Sequence, residues 1–65
     1  MRIDTQKIRM ELAERRMTQS TLAELSGISR QSISTIIARG TCSPANAGKI
    51  ASGLKIDLVE ITKEK

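Results

Sequence analysis

Apolar residues along the chain recur three and four positions apart and do not settle into the alternation of a strand. Ile8 and Leu12 share one helical face, with Met17 closing the stripe, and Leu22, Ala23 and Leu25 mark a second stretch. Ile33, Ile36 and Ile37 make a third stripe, and Ala47, Ile50, Ala51 and Leu54 a fourth at i, i+3, i+4 and i+7. Leu58 and Ile61 supply a short fifth. The pattern predicts an all-α chain of five helices.

Start and stop signals divide the pattern in the same places. Asp4, Thr18 and Ser29 each precede a stripe and can cap its first turn, and Ser43-Pro44 pairs a capping serine with a proline where a missing N–H is harmless. Asp57, with Glu60 three residues on, resembles a capping box for the last helix. Gly27 ends the second helix, and the third ends near Arg39-Gly40. With no internal repeat, linker or low-complexity stretch, residues 1–65 are expected to form one domain.

Composition then removes most function classes. A chain of 65 residues buries only about 60% of the surface its unfolded form exposes, so it needs staples, self-association or regular packing. One cysteine, Cys42, and no histidine leave neither an intrachain disulfide nor a set of zinc ligands, and no cofactor is expected. An enzyme lacks its parts here: there is no histidine base, no nucleophile beside a base and no phosphate-cradling glycine loop. Single-stranded and RNA binding lean on aromatic platforms, and the chain has no aromatic residue. No small-molecule ligand is evident. The mixed charge of Met1-Arg2-Ile3-Asp4 is not a signal peptide, and no run approaches a membrane span, so a cytoplasmic location is expected. Cys42 agrees with a reducing compartment and is read as a surface-loop residue with no role.

Charge adds a direction. Eleven Lys and Arg against seven Asp and Glu give a net +4, and the excess sits in residues 25–56, which carry Arg30, Arg39, Lys49 and Lys55 and no acid. A polyanion is the natural partner of such a segment, because neutralised phosphates release condensed counterions.

The segment from Gln19 to Ile33 reads as two helices joined by a glycine-containing turn, with the motif spanning about 18–39. Ala23 is small where two helices must approach, Gly27 supplies positive φ, and Leu22, Ile28, Ile33 and Ile36 lock the pair to a core. Turning the third helix so that its isoleucines face inward, at about 100° per residue, sends Gln31, Thr35 and Ala38 outward, flanked by Ser32, Ser34 and Arg39. This short, acid-free face suits a major groove: Gln pairs with adenine, Arg with guanine, and Ala or a Thr methyl meets the thymine methyl. Arg30 lies in the first turn, the end that reaches base edges, and the hydroxyls of Ser29 and Ser32 can meet phosphates.

These residues carry a family resemblance. Met17-Thr18-Gln19, Leu22-Ala23, the run Ser26 to Ser34, Arg39-Gly40, Ser43-Pro44, Ala47 to Ala51 and Leu54 resemble, in order and spacing, the Cro and phage-repressor (Xre-like) helix-turn-helix regulators, over roughly Ile8 to Ile61. The resemblance implies a five-helix, dimer-forming binder of double-stranded DNA that acts on transcription, a repressor by expectation, with its third helix in the major groove of a pseudo-palindromic operator. It assigns backbone contact and orientation of neighbours to Gln19, base reading to Arg30, Gln31, Ser34 and Thr35, and phosphate contact to the loop residues Arg39, Thr41 and Ser43. A homodimer is expected through Leu58, Val59 and Ile61, which exceed what one thin core can bury.

Three departures carry expectations of their own. Many members have glycine where Arg16 stands, and a non-glycine residue at positive φ costs roughly 1 kcal/mol, so a differently built turn is expected there. Ile37-Ala38 lengthens the path to Gly40 by one residue, which rotates Arg39. Gly53-Leu54-Lys55 displaces the usual terminal glycine and leaves Lys55 in a strained cap or near phosphate. The alternative function on the same fold is an antitoxin-like or adaptor module that binds protein.

Overall fold

Each α-helix of the computed structural model, which describes residues 1–63, begins at a side chain that closes its first turn. Asp4 caps α1 (Thr5–Glu14) by accepting the Lys7 N–H at 3.0 Å, and Thr18 caps α2 (Gln19–Ser26) through the Thr21 N–H at 3.1 Å. Ser29 and Ser43 do the same for α3 (Arg30–Arg39) and α4 (Pro44–Leu54), accepting the N–H of Ser32 and of Asn46, each at 3.2 Å. All four were legible in the sequence. Each such cap contributes about 1 kcal/mol by satisfying an orphan donor.

Three of the four α-helix ends share one closure. After α1 the Met17 N–H reaches back to the Leu12 carbonyl at 2.9 Å, after α2 Ile28 reaches Ala23 at 3.2 Å, and after α4 Ile56 reaches Ala51 at 3.0 Å. Each needs one residue at positive φ, supplied by Gly27 (φ 76°) after α2, Arg16 (φ 54°) after α1 and Lys55 (φ 60°) after α4. The turn at Arg16 is therefore not built differently, contrary to expectation. Two backbone bonds, Arg16 N–H to Ala13 and Met17 N–H to Leu12, and the seating of Met17 against the core outweigh the strain of one side chain in the left-handed region. The cap at Lys55 is the strained one of its two expected forms.

Ile8, Leu22, Ile33, Ile50, Leu54 and Ile61 fill the centre and are fully buried. α2 packs most extensively on α4 and next on α3, so it relates those two helices, while α1 packs chiefly on the turn at Leu58–Ile61. Gly53 makes the α2–α4 contact possible: a Cβ there would stand 3.3 Å from the Ser26 backbone nitrogen. Leu25, next to this contact, is 56% exposed and takes no part in the core.

The fifth helix is a correction. Leu58–Ile61 is a single 3-10 turn, and Asp57 makes no side-chain capping bond, so no capping box forms. The chain has no room to continue the helix, because it turns at once into a pairing with its own beginning. Met1–Ile3 lies between residues 40–42 and 61–63, with antiparallel bridges from Arg2 to Thr41 and from Ile3 to Thr62. Ile3 donates its N–H to the Gly40 carbonyl at 3.0 Å, Lys63 donates to Arg2 at 3.1 Å, and the Ile3 side chain joins the core. Ile61 is wholly inside that core and Leu58 is half-buried against it, so one core does bury what was expected to exceed it; Val59, 75% exposed, is the residue left outside.

Glu11 is a buried acid on α1 that the apolar pattern does not reveal. Its carboxylate meets Lys7 Nζ at 3.0 Å and the Arg15 guanidinium, whose Nη2 donates onward to the Leu54 carbonyl at 2.9 Å. Arg15 thus satisfies the end of α4 from the end of α1. Hydrogen bonds from Lys7 and then Arg15 hold the Glu11 carboxyl below its ordinary pKa, and the same bond raises that of Lys7.

Two stability predictions follow from this packing. Gly53→Ala should destabilise the fold by about 1–2 kcal/mol in urea unfolding despite the better helix propensity of alanine, because the atom met is backbone and cannot swing aside. For Glu11, a depressed folded-state pKa means the stabilisation is present above the unfolded value of about 4.3 and is lost as pH falls through the folded value. Glu11→Gln should therefore lower the midpoint of urea unfolding at neutral pH, with the gap to the parent closing in acid below about pH 4; a gap independent of pH would remove the ion pairs from the account.

Candidate nucleic-acid interface

The three-residue turn Gly27-Ile28-Ser29 sets α3 against α2. Gly27 holds φ 76° without a Cβ clash, and Ile28 turns inward to the core. Ala23, small and buried, lies in α2, which packs on α3. Ile33, Ile36 and Ile37 anchor the inner side of α3. Their spacing leaves Arg30, Gln31, Ser34, Thr35, Ala38 and Arg39 exposed on the outer side, as the helical wheel requires.

Two depressions mark that outer surface. A shallow one is lined by Arg30, Gln31 and Ser34. A cleft of about 420 Å³ runs between α3 and the loop into α4, where Gln31, Ser32, Thr35 and Arg39 face Thr41, Cys42 and Asn46. Neither contains an acid. Arg39 lines the cleft with Gln31 and Thr35, so the extra residue before Gly40 does not carry it off that face. Arg30 and Arg39 make no ion pair among the described residues, which leaves their charge for an outside anion.

The hydroxyls differ in what they have left to offer. Ser29 accepts the Ser32 N–H and donates to the Ser32 hydroxyl at 2.9 Å, and Ser43 accepts from Asn46, so both are engaged as caps. Ser34 donates to Gln19 Oε1 at 3.0 Å across the two helices. That bond engages the Gln19 carbonyl oxygen and leaves its amide N–H groups without a partner among the described residues. Thr35 and Thr41 make no such bond and stand open on the cleft.

Gln19, Arg30, Gln31, Ser32, Ser34, Thr35, Arg39, Thr41 and Ser43 thus share one side of the molecule with the N-termini of α3 and α4. Two residues that the sequence reading did not single out belong beside them. Asn46 lines the cleft from the first turn of α4; a polar side chain just inside the helix that follows the loop was the available signal. Arg2 is exposed and bridged to Thr41 through its backbone, and nothing in the sequence pointed to that pairing. Cys42 is half-buried on the cleft wall, and burial pushes its thiol pKa up, which keeps it a neutral thiol at physiological pH.

No helix among the described residues is long and apolar enough to cross a membrane, and no cluster of potential metal ligands occurs among them. Searches of curated proteins and of solved structures returned no match. The sequence model of the helix-turn-helix family matches residues 8–61, a span that contains α2, the Gly27 turn, α3 and α4 and most of α1. On that match and this geometry, the chain belongs to the Xre/Cro-CI-type helix-turn-helix family of DNA-binding transcription regulators.

Proposed function

We propose that the protein is a sequence-specific binder of double-stranded DNA that represses transcription by occupying an operator, with α3 lying in the major groove. The observation that carries this reading is the acid-free outer face of α3, continuous with Gln19 on one side and with the cleft at Arg39, Thr41 and Asn46 on the other. Arg30 and Gln31 reach base edges from the first turn of α3, where a bidentate side chain discriminates one base pair. Ser34 and Thr35 follow along the groove floor. Gln19, held by Ser34, offers its amide to a phosphate, and Arg39, Thr41 and Ser43 hold the backbone on the far side, with the helix N-termini adding their partial positive charge. Ser29 serves chiefly as the cap that orients these groups.

Two copies reading half-sites about 34 Å apart would explain a pseudo-palindromic operator, and the exposed Val59, beside the half-buried Leu58, is the apolar contact that the 3-10 turn offers to a second copy. Ile61 supports that surface from within. The cytoplasm is the setting this function requires.

Selection of duplexes from a random pool, followed by binding measurements over a range of salt, tests the reading. A steep decline of affinity with salt is expected; a salt-independent or absent interaction would leave the protein-binding adaptor as the better reading. Gln31→Ala should relax preference at one base position, at about 1–3 kcal/mol, whereas Arg39→Ala should weaken selected and random duplexes alike and reduce the salt slope by about 1. Equal losses on every sequence for Gln31→Ala would remove its base-reading role. Val59→Glu should shift sedimentation toward the monomer with the thermal transition unchanged; an unaltered sedimentation profile would take Val59 out of the interface.

A further inference from the structure

A second surface lies at the other end of α4. An apolar groove of about 420 Å³ is bounded by Met17, Leu25 and Leu54, with Arg15 and Lys55 on its rim and no acid in its lining. Leu25 forms one wall with more than half of its side chain open to water, an unusual position for a leucine on a helix whose other large apolar residue is wholly buried. The groove stands apart from the DNA face: Asn46 is in the first turn of α4 and Lys55 follows its last, roughly 14 Å along the axis.

The backbone around this groove is strained in a consistent way. Arg16, which adjoins Met17, and Lys55 are the two non-glycine residues at positive φ, each in a conformation that glycine adopts freely. Both are exposed cations, and neither forms an ion pair among the described residues. Arg15, in contrast, is held by Glu11 and the Leu54 carbonyl and so is a fixed part of the rim. The chain tolerates left-handed strain at two places and sets an unpaired cation at each: Lys55 lines the hollow, and Arg16 lies between its lining residues Arg15 and Met17 in the sequence.

We propose that this groove docks an acidic amphipathic segment of a partner protein, with one apolar side chain seated against Leu25 and Met17 and a carboxylate meeting Lys55 on the rim, Arg16 standing next in sequence to the lining residues Arg15 and Met17 as a second exposed cation. The charge selects the partner: the rim offers cations and no acid, and the apolar floor needs an anchor that a phosphate backbone does not carry. Because groove and α3 face lie at opposite ends of α4, partner and duplex bind the same molecule together. This gives a DNA-binding chain an input separate from its operator.

The test uses the full chain with two synthetic helical peptides of about 16 residues, one carrying Leu and Phe on a single stripe and Glu elsewhere, the other with Lys replacing every Glu. The acidic peptide should shift the amide resonances of Leu25, Gly53 and Lys55 and leave those of Gln31 and Arg39 in place, and adding a random-sequence duplex should not displace it. The Lys peptide should bind at least about tenfold more weakly, and Leu25→Glu should lose about tenfold for the acidic peptide. Lys55→Gly relieves strain, so it should melt no lower than the parent yet bind the acidic peptide about threefold more weakly. Duplex affinity should be unchanged in both variants, so failure here is distinct from failure of the DNA reading. Absence of peptide binding, equal affinity for the two peptides, shifts centred on α3, or displacement by duplex would each overturn the proposal. So would movement of the same amides with protein concentration alone, which would make a second copy the occupant.

Discussion

The arrangement of the whole molecule hangs on the place where α2 and α4 touch backbone to backbone. At Gly53 there is no side chain, and a Cβ would stand 3.3 Å from the Ser26 nitrogen, so the separation of the two helices is set by main-chain contact rather than by the adjustable fit of side chains. Everything that faces outward is referred to that contact. α2 carries α3 through a turn of three residues, and α4 carries the loop that walls the cleft. The pose of α3 relative to that loop, and with it the width of the cleft, is inherited from a separation fixed elsewhere.

A second set of ties stops the helices from rotating about that contact. Arg15 joins the end of α1 to the end of α4, with Glu11 holding the guanidinium in place, and Ser34 joins the exposed sides of α3 and α2 through Gln19. The first is part-buried between two helix ends; the second stands on the outer face. A core made only of aliphatic side chains slides more easily than one keyed by aromatic rings, and these directional bonds supply the missing register.

Much of this was legible in the sequence, and what escaped did so for physical reasons. The caps at Asp4, Thr18, Ser29 and Ser43 and the stripes of α1, α3 and α4 depend on residues three and four apart, the range at which periodicity is visible. The outer face of α3 followed from its inner one. The pairing of Met1–Ile3 joins residues some 40 to 60 positions apart through single bridges, too short to display alternation. The fifth helix was misread because Leu58 and Ile61 have helical spacing, yet four residues close only one turn. Arg16 misled in the opposite sense: propensity argued against the left-handed region, and two tertiary-supported backbone bonds overrode it.

The bridged segment Met1–Ile3 connects two distant parts of the chain. It is bonded on one edge to the segment 40–42, which walls the cleft, and on the other to the segment 61–63, which follows the 3-10 turn. The three segments are bonded in sequence through the middle one, so the path from the last to the loop runs through main-chain hydrogen bonds and not through a helix. An anchorage formed near Val59 would therefore be tethered, through these few main-chain bonds, to the loop that carries Thr41.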